Sequence, residues 1–168
     1  MMLFHGSNVE IANIELGKCR PWKDFGKGFY LTDIPEQAMR MAKRGVRIYG
    51  GEPVVTYFEA DMDDIFKSDM SIRAFEGPSK EWAVFVMNNR SQTFTDRTSP
   101  ECNLLGQYDV VIGPVADDDL ALLFRQFQEG LISVDVLTRE MTFRKLTNQY
   151  SFHTQRAVGY LKKAGVLI

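Results

Sequence analysis

The sequence predicts an α+β domain in which short strands are scattered between helices around one core. Residues 54–60 are rich in β-branched and aromatic side chains, which is typical of a strand. Leu120, Leu123, Phe124 and Phe127 recur at the spacing of one helix face. Strands and helices do not alternate regularly along the chain, so a parallel βαβ architecture is not expected.

Length and composition agree with a single domain that covers residues 1–168. The chain is 45% hydrophobic and 12% aromatic, which is enough apolar material for a substantial core. No repeat, low-complexity tract or long Pro/Gly/Ser-rich stretch divides it. We therefore expect one compact domain.

In the first half we expect strands over residues 1–5, 29–32 and 54–60 and an irregular basic loop over residues 18–23. Asp33-Ile34-Pro35-Glu36 has the polar residue, early proline and glutamate typical of a helix start. The buried stripe of this helix is predicted to contain Ile34, Ala38, Met41 and Ala42.

In the second half we expect four helices and two strands. The helices are predicted to start at Ser79, after Asp117-Asp118, after Ser133 and at Thr154, and the strands to cover residues 108–112 and 150–153. The last helix is predicted to run through Ala157, Val158 and Leu161 to Gly165.

Charge and cysteine content exclude some functional classes. The net charge of −2 provides no global basic field, so overall charge does not indicate nucleic-acid binding. Overall charge does not exclude a local basic patch. Cys19 and Cys102 with His5 and His153 form no close-spaced set of zinc ligands, and we expect no metal. Without an apolar run of about 18 residues or a leader-like start, we expect a soluble cytoplasmic protein and no membrane partner. A toxin exported by a leaderless route would look the same.

Three segments read together as one nucleotide site. They are Phe4-His5-Gly6-Ser7, the run Asp-Phe-Gly-Lys-Gly-Phe-Tyr-Leu-Thr at residues 24–32, and Asn-Gln-Tyr-Ser-Phe at residues 148–152. Gly26 and Gly28 allow a tight turn and a close approach to a ligand. Tyr30 follows at the start of a strand, where its ring is able to stack on a planar heterocycle.

These segments resemble the signature motifs of the ADP-ribosyltransferase superfamily, in the His-Tyr-Glu branch that contains diphtheria toxin and the poly(ADP-ribose) polymerases. Phe-Gly-Lys-Gly-Phe-Tyr at 25–30 is similar to the polymerases' Phe-Gly-Lys-Gly-Ile-Tyr, and Asn-Gln-Tyr at 148–150 resembles their Asn-Glu-Tyr. More narrowly, the chain resembles a bacterial family of unknown function over about residues 3–161. The resemblance implies a split pair of small antiparallel sheets with flanking helices, and NAD as substrate.

The resemblance also implies roles for individual residues. His5 would hydrogen-bond a ribose hydroxyl of NAD, the Gly6 backbone would pair with the nicotinamide carboxamide, and Tyr30 would stack on the nicotinamide ring. Gly28 would belong to the NAD-binding loop, and Arg20 is the preferred pyrophosphate ligand among the cations of residues 18–23. A strand-end histidine, a core tyrosine and a solvated basic loop are the structural alternatives.

Gln149 departs from the pattern, because active relatives carry a glutamate there. Glutamine keeps a hydrogen bond to the nicotinamide ribose but not the negative charge that stabilises the cationic centre formed as nicotinamide leaves. A unit charge at about 4 Å is worth roughly 4 kcal/mol at an effective dielectric of about 20, or about a thousandfold in rate. The polymerases' nicotinamide-binding serine and second stacking tyrosine fall on Ala38 and Met41.

Other polar residues have simpler explanations. Asp24 is most simply a turn residue, and its nearness to Tyr30 also makes it a candidate substitute carboxylate. Asp117-Asp118-Asp119 opens a helix, where negative charge suits the helix dipole, and a metal cluster is not favoured. For His153 we expect a strand-end role.

The sequence leaves more than one function open. The first hypothesis is an NAD-dependent mono-ADP-ribosyltransferase or NAD glycohydrolase, in which His5, Tyr30 and Gln149 are the catalytic residues and the macromolecular acceptor is unknown. The second is a weak or inactive module that binds NAD or ADP-ribose. The third is an RNA 2′-phosphotransferase, for which more basic residues would be expected.

Overall fold

The computed structural model describes residues 1–168 as seven strands and six helices. The strands are β1 (Met2–Ser7), β2 (Phe29–Leu31), β3 (Val54–Ala60), β4 (Ile72–Ala74), β5 (Val110–Pro114), β6 (Asn148–Phe152) and β7 (Leu161–Leu167). The helices are α1 (Pro35–Tyr49), α2 (Met62–Lys67), α3 (Lys80–Arg90), α4 (Asp118–Gln128), α5 (Val134–Thr142) and α6 (Gln155–Val158). None of these helices combines the length and the apolar character needed to cross a bilayer.

The strands form two small sheets, which confirms the predicted α+β class. The first sheet has the order β1-β3-β7 and is antiparallel throughout. The second has the order β2-β6-β5-β4, and its β4 pairs with β5 in parallel. The expectation of two purely antiparallel sheets is therefore wrong for β4, a three-residue edge strand whose alternating pattern is too short to predict.

The two sheets meet at one point and then separate. Phe4 N–H donates to Thr32 O at 2.7 Å and Thr32 N–H donates to Phe4 O at 2.9 Å, which bridges β1 to the end of β2. Beyond this bridge each strand pairs only within its own sheet. The separation opens a cleft between the two sheets.

Two large buried clusters hold the sheets and helices together, and a small third one, of Ala38, Ala42 and Val55, packs α1 on the first sheet. One lies among α3, α4, α5 and β5 and contains Trp82, Phe85, Leu120 and Phe124. The other lies between the sheets and contains Leu3, Phe29, Phe58, Ile65 and Phe152. Helices are present at the four predicted starts, and Ser79, Asp117, Ser133 and Thr154 cap them, since each side chain accepts a backbone N–H of the first turn.

The predicted last helix is wrong over most of its length. Helix α6 ends at Val158, and residues 161–167 form β7, which pairs with the free edge of β3. The helical spacing of Ala157, Val158 and Leu161 spans little more than one turn, so the open edge of β3 decides the structure. Gly165 faces Tyr57 so closely that a Cβ would lie 2.3 Å from its hydroxyl.

Helix α1 also differs in detail from the prediction. It starts at Pro35, and its N-cap is Ile34, which makes no side-chain cap. Ala38 and Ala42 are buried as expected, but Met41 is 48% exposed. The predicted stripe was therefore too wide, and the side chain of Met41 faces the cleft.

Candidate functional site

The cleft between the sheets has a volume of about 540 Å³ and contains most of the predicted site residues. His5 and Gly6 come from β1, Tyr30 from β2, and Gln149 from β6. The structure thus brings four of the six predicted site residues together. Arg20 and Gly28 do not line the cleft.

Strand register explains why Tyr30 and Gln149 share the cleft. Tyr30 lies directly opposite Ser151 in the antiparallel pair of β2 and β6. Gln149 is two residues from Ser151 and therefore points to the same face of the sheet as Tyr30. Any one-residue change of this register would turn Gln149 away from the cleft.

The His5 imidazole presents an acceptor to the cleft. Its Nδ1 lies 2.8 Å from Tyr30 O, and because a carbonyl only accepts, Nδ1 carries the proton. Burial of the ring lowers the pKa of His5, against the hydrogen bond to Tyr30, so the ring is neutral at pH 7. Nε2 then has a free lone pair and no protein partner, as a ribose hydroxyl would require.

Gly6 has two structural features that depend on the absence of a side chain. A Cβ would lie 1.8 Å from Ala38 O, so glycine lets α1 pack directly on β1. Along an antiparallel strand, the N–H and C=O groups of successive residues point alternately to the two sides of the strand. Those of Gly6 therefore point to the same side of β1 as those of Phe4, away from β3 and toward the second sheet. The sheets have separated at Gly6, and its N–H and C=O face the cleft.

Tyr30 is fixed by its hydroxyl as well as by its ring. The hydroxyl donates to Gly26 O at 2.6 Å and accepts Phe25 N–H at 3.0 Å. The ring packs near Phe25, with 6.4 Å between centroids. Burial raises the pKa of Tyr30 well above its ordinary value, so the hydroxyl stays protonated. The hydroxyl is used to hold the loop, and Nζ of Lys23 lies 5.7 Å from the centre of the ring, so a ligand that stacks on the ring meets the Lys23 ammonium.

Asp24 is the most heavily bonded side chain in the cleft. Its Oδ1 accepts from Nε of Arg90 at 2.8 Å and also from the Nη2 of that guanidinium. Its Oδ2 accepts Ala116 N–H at 3.1 Å and Nε2 of Gln149 at 2.7 Å. All four acceptor positions of the carboxylate are used, and its charge is paired with Arg90.

Asp24 determines which end of the Gln149 amide faces the cleft. Nε2 of Gln149 donates to Asp24 and also to Pro114 O at 3.2 Å. Both neighbours only accept, so the amide cannot be flipped without losing two hydrogen bonds. The carbonyl oxygen has no protein partner and is not sealed from solvent. The side chain therefore offers a fixed, neutral acceptor to the cleft.

The loop that carries Asp24 is anchored to α3. Nδ2 of Asn89 donates to Asp24 O at 3.2 Å, and Oδ1 of Asn89 accepts Asn103 N–H at 2.7 Å. Gly26 adopts φ +90°, and a Cβ there would lie 2.7 Å from Asn103 O. Glycine is therefore required at this position to seat the loop.

Cations other than the predicted Arg20 reach the cleft. The guanidinium of Arg20 lies over the ring of Tyr49 at 4.5 Å, outside the lining. Lys23 and Arg44 line the cleft instead. Burial lowers the pKa of Lys23, and Arg20 and Arg44 lower it further while Asp24 raises it. Lys23 also lies over the ring of Tyr30, so these charges are close together beside that ring.

Gly28 and His153 have a structural role with each other. A Cβ on Gly28 would lie 2.5 Å from Nδ1 of His153, so glycine makes room for the imidazole. Nδ1 of His153 lies 2.8 Å from Lys27 O, and Nε2 lies 2.8 Å from Oγ of Ser151. His153 thus holds the end of the glycine loop against β6.

Stability should fall in mild acid because His153 is held neutral. Burial lowers the pKa of His153 to about 4. Between about pH 6.5 and pH 4 the unfolded chain therefore binds a proton at this residue and the folded chain does not. The free energy of unfolding should decrease from pH 6.5 to pH 4, by up to about 3 kcal/mol from this residue. Urea denaturation at pH 7 and pH 4.5 measures the loss. His153→Gln should be less sensitive to pH over this range, and an unchanged slope would contradict the role given to the imidazole.

Sequence reasoning missed the partners that hold Asp24. Arg90 and Asn89 lie in the last turn of α3, and Ala116 follows β5, so their contacts with Asp24 span between 65 and 92 residues. No local pattern signals such contacts. A polar Asn-Asn-Arg directly after the apolar run of residues 82–87 is the only hint in the sequence. No three His, Cys, Asp or Glu side chains are clustered in a way that could hold a metal ion.

Comparison with known families places the chain in one of them. A family model described as "Protein of unknown function (DUF3990)" matches residues 1–163, and the chain belongs to this family. Neither the curated proteins nor the solved structures gave a match.

Proposed function

We propose that the protein binds NAD in the cleft and transfers its ADP-ribosyl group to a macromolecular acceptor or to water. The observation that carries the proposal is the convergence of His5, Gly6, Tyr30 and Gln149 in one cleft, at the point where the two sheets separate. Each residue offers the kind of group that the nicotinamide nucleoside requires. The fold would then be of the ADP-ribosyltransferase type, and NAD would be met in the cytoplasm.

The nicotinamide half of NAD fits the backbone edge of β1 and the face of Tyr30. A carboxamide is both donor and acceptor, and the Gly6 N–H and C=O form the complementary pair. The ring would stack on the aromatic face of Tyr30 and displace the Lys23 ammonium that lies over it. Nε2 of His5 and Oε1 of Gln149 are acceptors and would each take a ribose hydroxyl.

The pyrophosphate half fits the cations that line the cleft. These are Lys23, which would move from the ring of Tyr30 to the phosphates, and Arg44, which forms no ion pair with a carboxylate. A guanidinium binds phosphate oxygens with two parallel hydrogen bonds. We therefore assign the pyrophosphate to Lys23 and Arg44 in place of the predicted Arg20.

In the reaction, the bond between ribose C1′ and the nicotinamide nitrogen breaks, and its electron pair leaves with nicotinamide. A nucleophile of the acceptor, or water, then bonds to C1′ and loses a proton to solvent. Gln149 offers only the dipole of its carbonyl oxygen to the cationic centre. The charge of Asp24 is paired with Arg90, so we expect slow turnover.

A second candidate function is a module that binds NAD without cleaving it. This function is favoured by the ion pair of Asp24 and Arg90, because it neutralises the carboxylate nearest to Gln149. A binding module needs only the hydrogen bonds and the stacking face. The two functions differ in whether nicotinamide is released.

Incubation with labelled NAD tests the proposal. We expect slow release of nicotinamide from the purified protein, and transfer of labelled ADP-ribose to a component of cell lysate that mass spectrometry detects. Binding without release would favour the module. If the protein neither binds NAD nor releases nicotinamide at millimolar NAD, both functions are refuted.

A further inference from the structure

Helix α1 carries a row of exposed cations, one of which, Arg44, lines the cleft. Arg40, Lys43, Arg44 and Arg47 are spaced three, four and seven residues from the first, so they lie on one face of the helix. Glu36, one turn earlier, is the only acidic residue in α1. The row extends about 10 Å along the helix axis at a rise of about 1.5 Å per residue.

Two cations of the preceding loop continue this row. Arg20 lies on Tyr49 at the end of α1, and Lys23 is close enough to Arg20 and Arg44 for both to lower its pKa. We call the six residues the basic ridge: Arg20, Lys23, Arg40, Lys43, Arg44 and Arg47. The ridge is continuous with the cleft through Lys23 and Arg44.

The charge of the ridge is not balanced within the protein. Six other cations form ion pairs: Lys18, Arg73, Arg90, Arg144, Arg156 and Lys163. No carboxylate lies within ion-pair distance of any ridge residue, although the chain as a whole has a net charge of −2. Clustered like charges repel one another, and a bound polyanion relieves this repulsion.

The side chains on and beside the ridge suit a nucleic-acid strand. Four of the six cations are arginines, whose planar fork matches the oxygens of a phosphodiester. Trp22 lines the cleft, and Tyr49 is exposed at the end of α1 with Arg20 over one face of its ring, so two aromatic side chains for unpaired bases lie beside the ridge. The adjoining cleft is large enough for a nucleotide but not for a duplex.

We propose that the basic ridge binds the backbone of single-stranded nucleic acid and presents it at the mouth of the cleft. Binding depends only on the ridge and not on NAD. Where the proposed transferase function also holds, the bound strand would be the acceptor, and that consequence rests on the proposed function.

Fluorescence anisotropy with a labelled single strand of about 20 nucleotides tests the proposal. The test variant is Arg40→Glu/Lys43→Glu/Arg47→Glu, which leaves the residues lining the cleft intact. The control variant is Lys80→Glu/Arg125→Glu/Arg139→Glu, which changes net charge equally at exposed cations of α3, α4 and α5 that form no ion pairs. Thermal melts check that both variants are folded.

We expect the wild type to bind at low salt, with an affinity that falls as salt rises by a slope of about −0.7 per phosphate contacted. The test variant should bind at least about tenfold more weakly and with a shallower slope, while the control should bind nearly as the wild type does. No binding of the strand at low salt, equal loss in both variants, stronger binding of a duplex, or preference for polyglutamate would each overturn the proposal. Calorimetry with NAD on the same variants distinguishes a failure of this proposal from a failure of the proposed NAD site. NAD binding is expected to be unchanged by the substitutions at Arg40, Lys43 and Arg47.

Discussion

Replacing Asp24 by alanine should lower the free energy of unfolding by about 3 kcal/mol, the low end of the cost of breaking a buried ion pair. The low end applies because the side chain of Arg90 is 32% exposed and is partly solvated when its partner is lost. The substitution also leaves Ala116 N–H without its acceptor and removes one of the two acceptors of Gln149 Nε2. Urea denaturation at pH 7 measures the loss.

Asp118→Ala is the matched control for this effect. Asp118 also lines the cleft, but it is exposed and makes no ion pair, so its removal should cost less than about 1 kcal/mol. A folded fraction of Asp24→Ala should also bind NAD more weakly, because the amide of Gln149 is then held only by its hydrogen bond to Pro114 O. Equal stability losses in the two variants would contradict the central role of Asp24.

Replacing Gln149 by glutamate should harm the protein and not activate it. The new carboxylate would lie where Nε2 now donates to Asp24 at 2.7 Å and to Pro114 O. Two carboxylates at about 3 Å repel by about 5 kcal/mol at an effective dielectric of about 20, and Arg90 offsets only part of this. The variant should therefore lose stability at pH 7 and regain some of it in mild acid, where the pair shares a proton. Nicotinamide release should not exceed that of the wild type.

The double variant Asp24→Asn/Gln149→Glu separates charge from crowding. Nδ2 of the asparagine would take the place of Oδ2 and donate to the introduced glutamate, while Oδ1 would still accept from Arg90, so the charge moves to residue 149. Ala116 N–H loses its acceptor in this variant, at a cost of about 1–3 kcal/mol in stability. Nicotinamide release should then rise above the wild-type rate, by up to about a thousandfold from the Coulomb term. Faster release of nicotinamide by the Gln149→Glu single variant than by the double variant would contradict the claim that the charge of Asp24 prevents residue 149 from carrying a second negative charge.

The sequence predicted the parts of the fold that depend on local pattern. Strand β3 occupies residues 54–60 as expected, and the caps at Ser79, Asp117 and Ser133 start their helices as expected. Strand β7 was predicted as helix because its structure depends on the distant edge of β3. Strand β4 and helix α2 are too short for periodicity to indicate them.

The sequence predicted only some of the residues that form the site. His5, Gly6, Tyr30 and Gln149 meet in the cleft, while Gly28 packs on His153 and Arg20 lies on Tyr49. The ion pair of Asp24 and Arg90 joins a loop to the end of a helix 66 residues away, and it decides how Gln149 is presented. Such contacts depend on packing in three dimensions, which no spacing in the sequence encodes.

Titration calorimetry with NAD tests the central claim most directly, with wild type and Gln149→Ala compared at pH 7. We expect the wild type to bind NAD with a single site. Gln149→Ala should bind about 0.5–1.5 kcal/mol more weakly, because it lacks one hydrogen bond to the ribose. Absence of heat from NAD, nicotinamide and ADP-ribose at millimolar concentration, with folded protein, would contradict the proposal that this cleft is an NAD site.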